Sequence, residues 1–519
     1  AGRRERDGGS RHPHAVTSTH PEPARPAWGV VVAVMLTALL EVLDLTIVNV
    51  SLPHMIGSFG ATPDQITWVV TSYMISTAIV MPLTGFLSAR FGRRNVLLCA
   101  IVGFITASAL CGAAWSLESM ALFRLLQGGF GAVLIPLSQT TLFDAFPRNQ
   151  RGTAMAIWSV SIMVAPIVGP SLGGYITEHY VWRWVFYINV PMGVLALVMA
   201  LGKIPATPPG PARRTDWTGL LLLSVTLGSL QAVLDLGHHR EWFASRLIMA
   251  LALTTVLAGV LFVWRGLRTP DHVIDLRLFA NRNFTLGCVL VAGYCLTMYA
   301  TIVLLPLLTQ RLLGYPADTA GLLFLPRGVL ASVLMILIGR FLVTRVDPRK
   351  LIFAGFLFTA LACWQMAHYT LQVDAWALVW PGMVQGIGMA LIFGQLTLVA
   401  FDTIPRERAD EAAGLYSVTR TLGSSIGVAL SGTLLVRQEQ THWHTLGGHV
   451  RESNPALHEW LAQAGWQLPQ AETPLLLARV VARQATLQAF TDLYAAITWT
   501  FFALLPFVVL LKRQRRLGA

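Results

Sequence analysis

Apolar residues run through this chain in long blocks, with polar residues gathered in short clusters between them. A helix needs about 20 apolar residues to cross the hydrocarbon of a bilayer. By that measure spans are predicted near 28–52, 66–89, 95–115, 119–143, 152–177, 184–202, 217–236, 246–264, 284–310, 318–339, 351–371, 376–401, 411–436 and 492–511, fourteen in all. The segment 1–27 is polar and rich in Arg, Pro and His. It lacks the apolar core of a signal peptide and reads as a disordered cytoplasmic tail. The first residue is Ala rather than Met, and a chain trimmed at its start is expected.

Composition agrees with the pattern. Of 519 residues, 54% are hydrophobic and only 12% are charged, against about 25% in a soluble protein. The net charge of +12 would suit nucleic acid, but its placement argues otherwise. With the N-terminus inside, 27 of the 38 Lys and Arg fall on the inner side, eight on the outer side and three within spans. Cytoplasmic loops carry such an excess, so the charge is topological. All five cysteines sit in apolar stretches without metal-ligand spacing and read as packing residues.

Two loops resemble each other. "GFLSARFGRRNVLL" starts at Gly85 and "GRFLVTRVDPRKLI" at Gly339. Each has a Gly at a helix end, an apolar pair and a basic turn into the next span. Two similar bundles fit, spans 1–6 and 9–14, with spans 7 and 8 inserted. Internal repeats with a site between them are a common transporter plan.

Charges inside spans cost the most, so they carry the chemistry. Glu41 and Asp44 are three residues apart and share one face of span 1. A carboxyl group withdrawn from water favours its neutral form, and a second acid nearby reinforces this. Such a group can take a proton on one side of a membrane and release it on the other. Arg124 in span 4 is a cation that needs a partner, and its charge would tune a nearby carboxyl. The alternatives remain open: a structural hydrogen-bonding Asp44, a neutral Glu41 without a coupling role, and an Arg124 capped by backbone carbonyls. Arg420 and Arg327 are weaker candidates of the same kind. In "APIVGPSLGGYI", Gly169, Gly173 and Gly174 permit close helix contact and Pro170 bends the helix. A tight seam closing the cytoplasmic side is the expectation.

These residues carry a family resemblance that runs from Trp28 over nearly the whole chain. "LDLTIVNVSLP" (43–53), "GFLSARFGRR" (85–94), "FRLLQGGFGA" (123–132), "APIVGPSLGGYI" (165–176) and "WRWVFYINVPMG" (182–193) resemble the motifs of the major facilitator superfamily. So do "RNFTLGC" (282–288), "GYPADTAGLLFLPRG" (314–328) and "TRTLGSSIG" (419–427). Within it they are similar to the fourteen-span drug:proton antiporters of the EmrB/QacA type. The span 5 motif separates antiporters from other facilitators. The loop motif departs from the family at Ala89, where an acid is usual, which puts its charge relay in doubt.

The resemblance implies an all-α integral membrane protein of the MFS fold, with two six-helix bundles and two inserted helices. The units are a tail (1–27), an N-terminal bundle (28–203), a linker with two helices (204–282) and a C-terminal bundle (283–437). A long periplasmic loop (438–491) and a last helix with a basic tail (492–519) follow. The implied activity is proton-driven multidrug export across the bacterial inner membrane, with both termini cytoplasmic. Asp44, Glu41 and Arg124 would couple protons, and Gly85, Gly92, Arg93, Gly169, Pro170, Gly173, Gly174 and Arg420 would gate. Candidate substrate contacts are Asn49, Trp68, Tyr73, Gln139, Trp158, Tyr294, Tyr299, Gln385, Phe393 and Gln395, each of which, taken singly, reads first as packing. No cofactor is expected, the proton gradient being the energy source, and no nucleic acid.

The resemblance also implies a periplasmic membrane-fusion adaptor (EmrA-like) and an outer-membrane channel (TolC-like) as partners. The long outer loop holds two segments with helical apolar spacing, "HEWLAQAGWQL" and "LLLARVVARQATLQAF". Two readings stand, helices lying on the membrane and a docking site for the adaptor. A membrane enzyme is disfavoured, since no converging metal or acid–base motif appears, nor a phosphate-cradling loop for ATP. A sugar or anion facilitator is disfavoured by the span 5 motif and the membrane acids. A non-transporting sensor and an exporter of one endogenous compound, such as a fatty acid or siderophore, remain open.

Overall fold

The computed structural model describes residues 28–146, 150–206, 216–237, 240, 242–268, 276–342, 345–405, 408–450, 453–463 and 473–512. All regular structure among them is helical. The first bundle holds α1 (Trp28–Phe59), α2 (Trp68–Phe91), α3 (Arg93–Gly112), α4 (Leu117–Ala145), α5 (Arg151–His179) and α6 (Trp184–Lys203). Next come α7 (Trp217–Gly237) and α8 (Arg246–Arg268). The second bundle holds α9 (Arg282–Leu312), α10 (Ala317–Leu337), α11 (Pro348–Met366), α12 (Ala375–Phe401), α13 (Ala409–Gly447) and α14 (Thr473–Val509). Among the described residues, eleven helices are long and apolar enough to cross a membrane. The helices α5, α11 and α13 coincide with the other three expected spans.

Local chemistry sets many helix starts. Asn281, Asp347 and Asp374 use their side chains to accept hydrogen bonds from the first free N–H groups of α9, α11 and α12. Pro348 follows Asp347 at the first helical position, where its missing N–H costs nothing. Gly92 turns the chain between α2 and α3 with φ of 82°, a conformation that favours glycine.

Glycines let the helices approach. A methyl group added at Gly427 of α13 would lie 2.1 Å from the carbonyl oxygen of Leu296 in α9. At Gly423 it would lie 2.3 Å from that of Ala292, and at Gly128 of α4 2.3 Å from that of Tyr73 in α2. Lipid gives helices no hydrophobic reason to associate, so such close backbone contact carries the packing. The helix α7 packs on α8, α2 and α13. In contrast, α8 rests on α7 and turns Leu253, Val256, Val260 and Trp264 outward.

The helical pattern read in 438–491 belongs in large part to α13 and α14, which run well past the expected span ends. The extensions are tied together: Thr486 donates to Glu439 at 2.6 Å, and His442 lies 2.7 Å from Asp492. A short helix, Pro455–Gln463, takes up the start of "HEWLAQAGWQL"; the rest of that stretch lies outside the described residues, as does the tail 1–27. Four cysteines are buried, and Cys99 is exposed on α3.

Gly427→Leu is expected to lower the melting temperature of the detergent-purified protein by several degrees, overpacking costing about 1–3 kcal/mol. Gly447→Ala, at a glycine with nothing within 4 Å, should leave it unchanged. Equal melting of both variants would contradict the close packing of α9 on α13.

Candidate functional site

A helix turn brings Glu41 and Asp44 to one side of α1, but the bundle gives them different partners. Asp44 is fully buried. The Arg124 guanidinium donates to it at 2.6 Å, the Gln127 amide at 2.9 Å and the Asn189 amide at 2.7 Å. Arg124 also donates to the Val69 carbonyl and to Gln127, both at 2.9 Å, and stacks its charge 4.2 Å from the Tyr73 ring centroid. Asn189 donates on to Ser108 at 3.1 Å. The network therefore ties α1, α2, α3, α4 and α6 together. A buried ion pair survives only when further hydrogen bonds satisfy both partners, and here they do.

Glu41, 2% exposed, accepts a hydrogen bond from the Ile135 N–H at 3.2 Å. The reason lies in α4, whose regular turns stop at Gly131 and restart at Leu134, with Pro136 next in the new turn. The first N–H groups of a helix lack internal partners, and a carboxylate suits that end. Across the bundle boundary, Arg420 of α13 is the cation that acts on Glu41 most strongly. Arg420 lines a small cavity between the bundles, together with Gln139, Trp158, Tyr294, Phe393 and Tyr416.

The other expected contacts scatter. Tyr73 belongs to the Arg124 network. Tyr299 shares the electrostatic surroundings of Glu41 and Arg420. Asn49 is exposed and donates to the Leu45 carbonyl, and Trp68 is 38% exposed at the start of α2. Gln385 and Gln395 are buried outside the cavity lining. Three polar residues were not singled out in the sequence: Gln127, Asn189 and Asp235. The first two stand as amides inside motifs already quoted. Asp235 of α7 accepts from Gln231 at 3.0 Å, and Gln231 donates to Ser425 of α13 at 2.9 Å.

The gating expectations are partly redrawn. Gly85 packs against the Glu411 backbone. Arg93 pairs with Asp144 and with Asp410, and Ser88 donates to Asp410. Where Ala89 leaves the loop motif without its usual acid, Arg93 thus finds acids on α4 and α13. Gly414 sits on the Met81 carbonyl at the same end, which carries the basic loops. Gly169 and Gly173 face Thr46 and Ile47 of α1, beyond Asp44, and Thr46 donates to the Ala165 carbonyl. Their seam therefore lies within the first bundle, away from the basic end it was expected to close. Gly174 has only Val50 within reach; the Pro170 side chain lies outside the described residues.

The family model described as Major Facilitator Superfamily matches residues 34–428. The chain is 37% identical to the multidrug export protein EmrB of Escherichia coli (strain K12) over 485 residues, 92% of this chain and 94% of that one. It is 35% identical to the fatty acid resistance protein FarB of Neisseria gonorrhoeae, over 94% of this chain and 96% of that one. Among solved structures, the proton:xylose symporter XylE aligns with a TM-score of 0.59 at 16% identity, over 92% of this chain and 95% of that one. At that identity the likeness concerns the fold alone.

Asp44→Asn strips Arg124 of its counter-charge, and a broken buried pair costs about 3–5 kcal/mol. Thermal unfolding should show that loss, with Asp44→Asn combined with Arg124→Gln recovering part of it. Strict additivity of the two single changes would show that the residues do not act as a pair.

Proposed function

We propose, because the chain belongs to the Major Facilitator Superfamily, that it is a multidrug exporter driven by the proton gradient, moving hydrophobic and amphiphilic toxic compounds by alternating access. It is a transporter rather than an enzyme, with its two bundles rocking about the cavity at their boundary. The carrying observation is the state of Asp44, a carboxylate buried at mid-span and held by Arg124, Gln127 and Asn189. Asp44 is the proton carrier in this reading. Protonation would cancel its charge, free Arg124 and alter a junction of five helices. That junction includes α1, against which α5 packs through Gly169 and Gly173.

The basic end is cytoplasmic in this reading, as the Lys/Arg bias supports, and the membrane is the bacterial inner membrane. The Arg93–Asp410 and Arg93–Asp144 pairs then form the inner latch, since each joins α3 to α13 or α4. The likeness to EmrB proteins supports the multidrug range. The likeness to a fatty acid resistance protein supports the second reading, export of a fatty acid. The extensions of α13 and α14 project on the opposite side, where an adaptor protein would dock and lead to an outer-membrane channel.

In inverted vesicles under a proton gradient, the wild type should accumulate hydrophobic dyes, and Asp44→Asn should abolish the gradient-dependent part. Full gradient-driven uptake by Asp44→Asn would remove Asp44 from coupling. Replacing 448–472 with a Gly/Ser linker should leave vesicle uptake intact and abolish adaptor pull-down; retained binding would place the docking surface elsewhere.

A further inference from the structure

The repeat sets equivalent residues at equivalent contacts in the two bundles. Tyr73 and Arg327 stand as far apart along the chain as Gly85 and Gly339. The pair Gln127–Gly128 of α4 recurs as Gln385–Gly386 in α12. Their packing matches: a methyl group at Gly128 would meet the Tyr73 carbonyl oxygen, and one at Gly386 would lie 2.6 Å from that of Arg327. In the first bundle Gln127 donates to a carboxylate, Asp44. In the second, α9, α11 and α12 contain no Asp or Glu. Asp318 begins α10, more than two helical turns from Arg327. Asp492 of α14 lies against His442, and the acids of α13 stand near its ends. Donors gather instead. Half-buried Arg327 makes its only hydrogen bond among the described residues to the Met389 sulfur, at 3.4 Å, a weak acceptor. Met389 lies one turn after Gln385, so Gln385 shares the face of α12 that Arg327 reaches. Gln385 is fully buried, and neither atom of its amide has a partner among the described residues. Tyr294 of α9 and Tyr494 of α14 are electrostatic neighbours of Arg327, and their buried hydroxyls likewise lack partners there. A cation in hydrocarbon needs a counter-charge, and buried donors need an acceptor.

We propose that Arg327, Gln385, Tyr294 and Tyr494 hold a small monovalent inorganic anion, chloride in the cell, inside the second bundle. A halide neutralises one guanidinium and accepts from several N–H and O–H donors at once, and amide and phenol groups supply them. The close approach of α10 to α12 at Gly386 suits an ion rather than an organic body. The first bundle thus carries its central anion covalently, as Asp44, and the second takes one from solution. The ion is a resident that ties α9, α10, α12 and α14 together, and is not a transported solute. The site goes beyond the export reading and stands without it.

The test is thermal melting of the purified full chain in detergent, with sodium chloride replacing sodium gluconate at constant ionic strength. A ligand that binds only the folded state raises the melting temperature as its concentration passes the dissociation constant. The wild type should melt higher as chloride, or bromide, replaces gluconate. Arg327→Gln should raise the half-saturating chloride concentration at least about tenfold, the worth of a charge-assisted hydrogen bond. Tyr494→Phe should raise it by less, and carries the test with the wild-type response if Arg327→Gln does not fold. Arg420→Gln, which removes the cation of the boundary cavity, should respond to chloride as the wild type does. Crystals soaked in bromide should show anomalous scattering beside Arg327. Equal melting of the wild type in chloride and gluconate, an undiminished response in Arg327→Gln or Tyr494→Phe, or a response lost in Arg420→Gln instead would overturn the site. Proteoliposomes should pass no more labelled chloride than protein-free vesicles; a protein-dependent flux would overturn the ion's residence.

Discussion

The Asp44–Arg124 pair is the contact on which the first bundle depends. Hydrocarbon offers neither residue a solvent, so each must find every partner within the protein. Five helices contribute to that satisfaction: Val69 takes one N–H of Arg124, Gln127 and Asn189 both donate to Oδ1 of Asp44 while Arg124 donates to Oδ2, and Ser108 accepts from Asn189 in turn. Shifting any of these helices leaves a buried polar group without its partner. The pair thus orders the first bundle.

The two acids of α1 meet different parts of α4. Asp44 faces the regular helix that bears Arg124 and Gln127. Three residues earlier, Glu41 faces the break after Gly131, where the free N–H of Ile135 requires an acceptor. Beyond it lies the second bundle, with Arg420 at the boundary. One acid is locked inside a bundle, and the other stands where the bundles meet. At the basic end a separate set of charges joins the bundles, with Arg93 shared between Asp144 and Asp410.

The second bundle repeats the first in design. The end of α2 packs on α13, and the end of α10 packs on α5, as a twofold relation between the bundles requires. The related loops at Gly85 and Gly339 stand at those two ends. The charges do not follow the repeat: Asp44 and Arg124 pair within the first bundle, whereas among the described residues Arg327 and Arg420 make no such ion pair in the second.

Much of this was legible in the sequence. Long apolar blocks, basic loops, span acids and small-residue motifs are one-dimensional signals, because crossing a membrane constrains each helix separately. They yielded the helices, the repeat, and Asp44 and Arg124 as exceptional residues. Pairing is a different matter. Asp44 and Arg124 lie far apart in the chain, as do Arg93 and Asp410, and only packing shows which charge answers which. For the same reason, Gln127 and Asn189 read as ordinary amides until the bundle turned them toward Asp44. The spacing of Gly169 and Gly173 promised a close contact without naming the helix that would receive it. Thus the sequence determined which residues could not face lipid unaided, and the tertiary structure decided who their partners are, because partnership in a low-dielectric interior is a matter of distance between helices rather than of position along the chain.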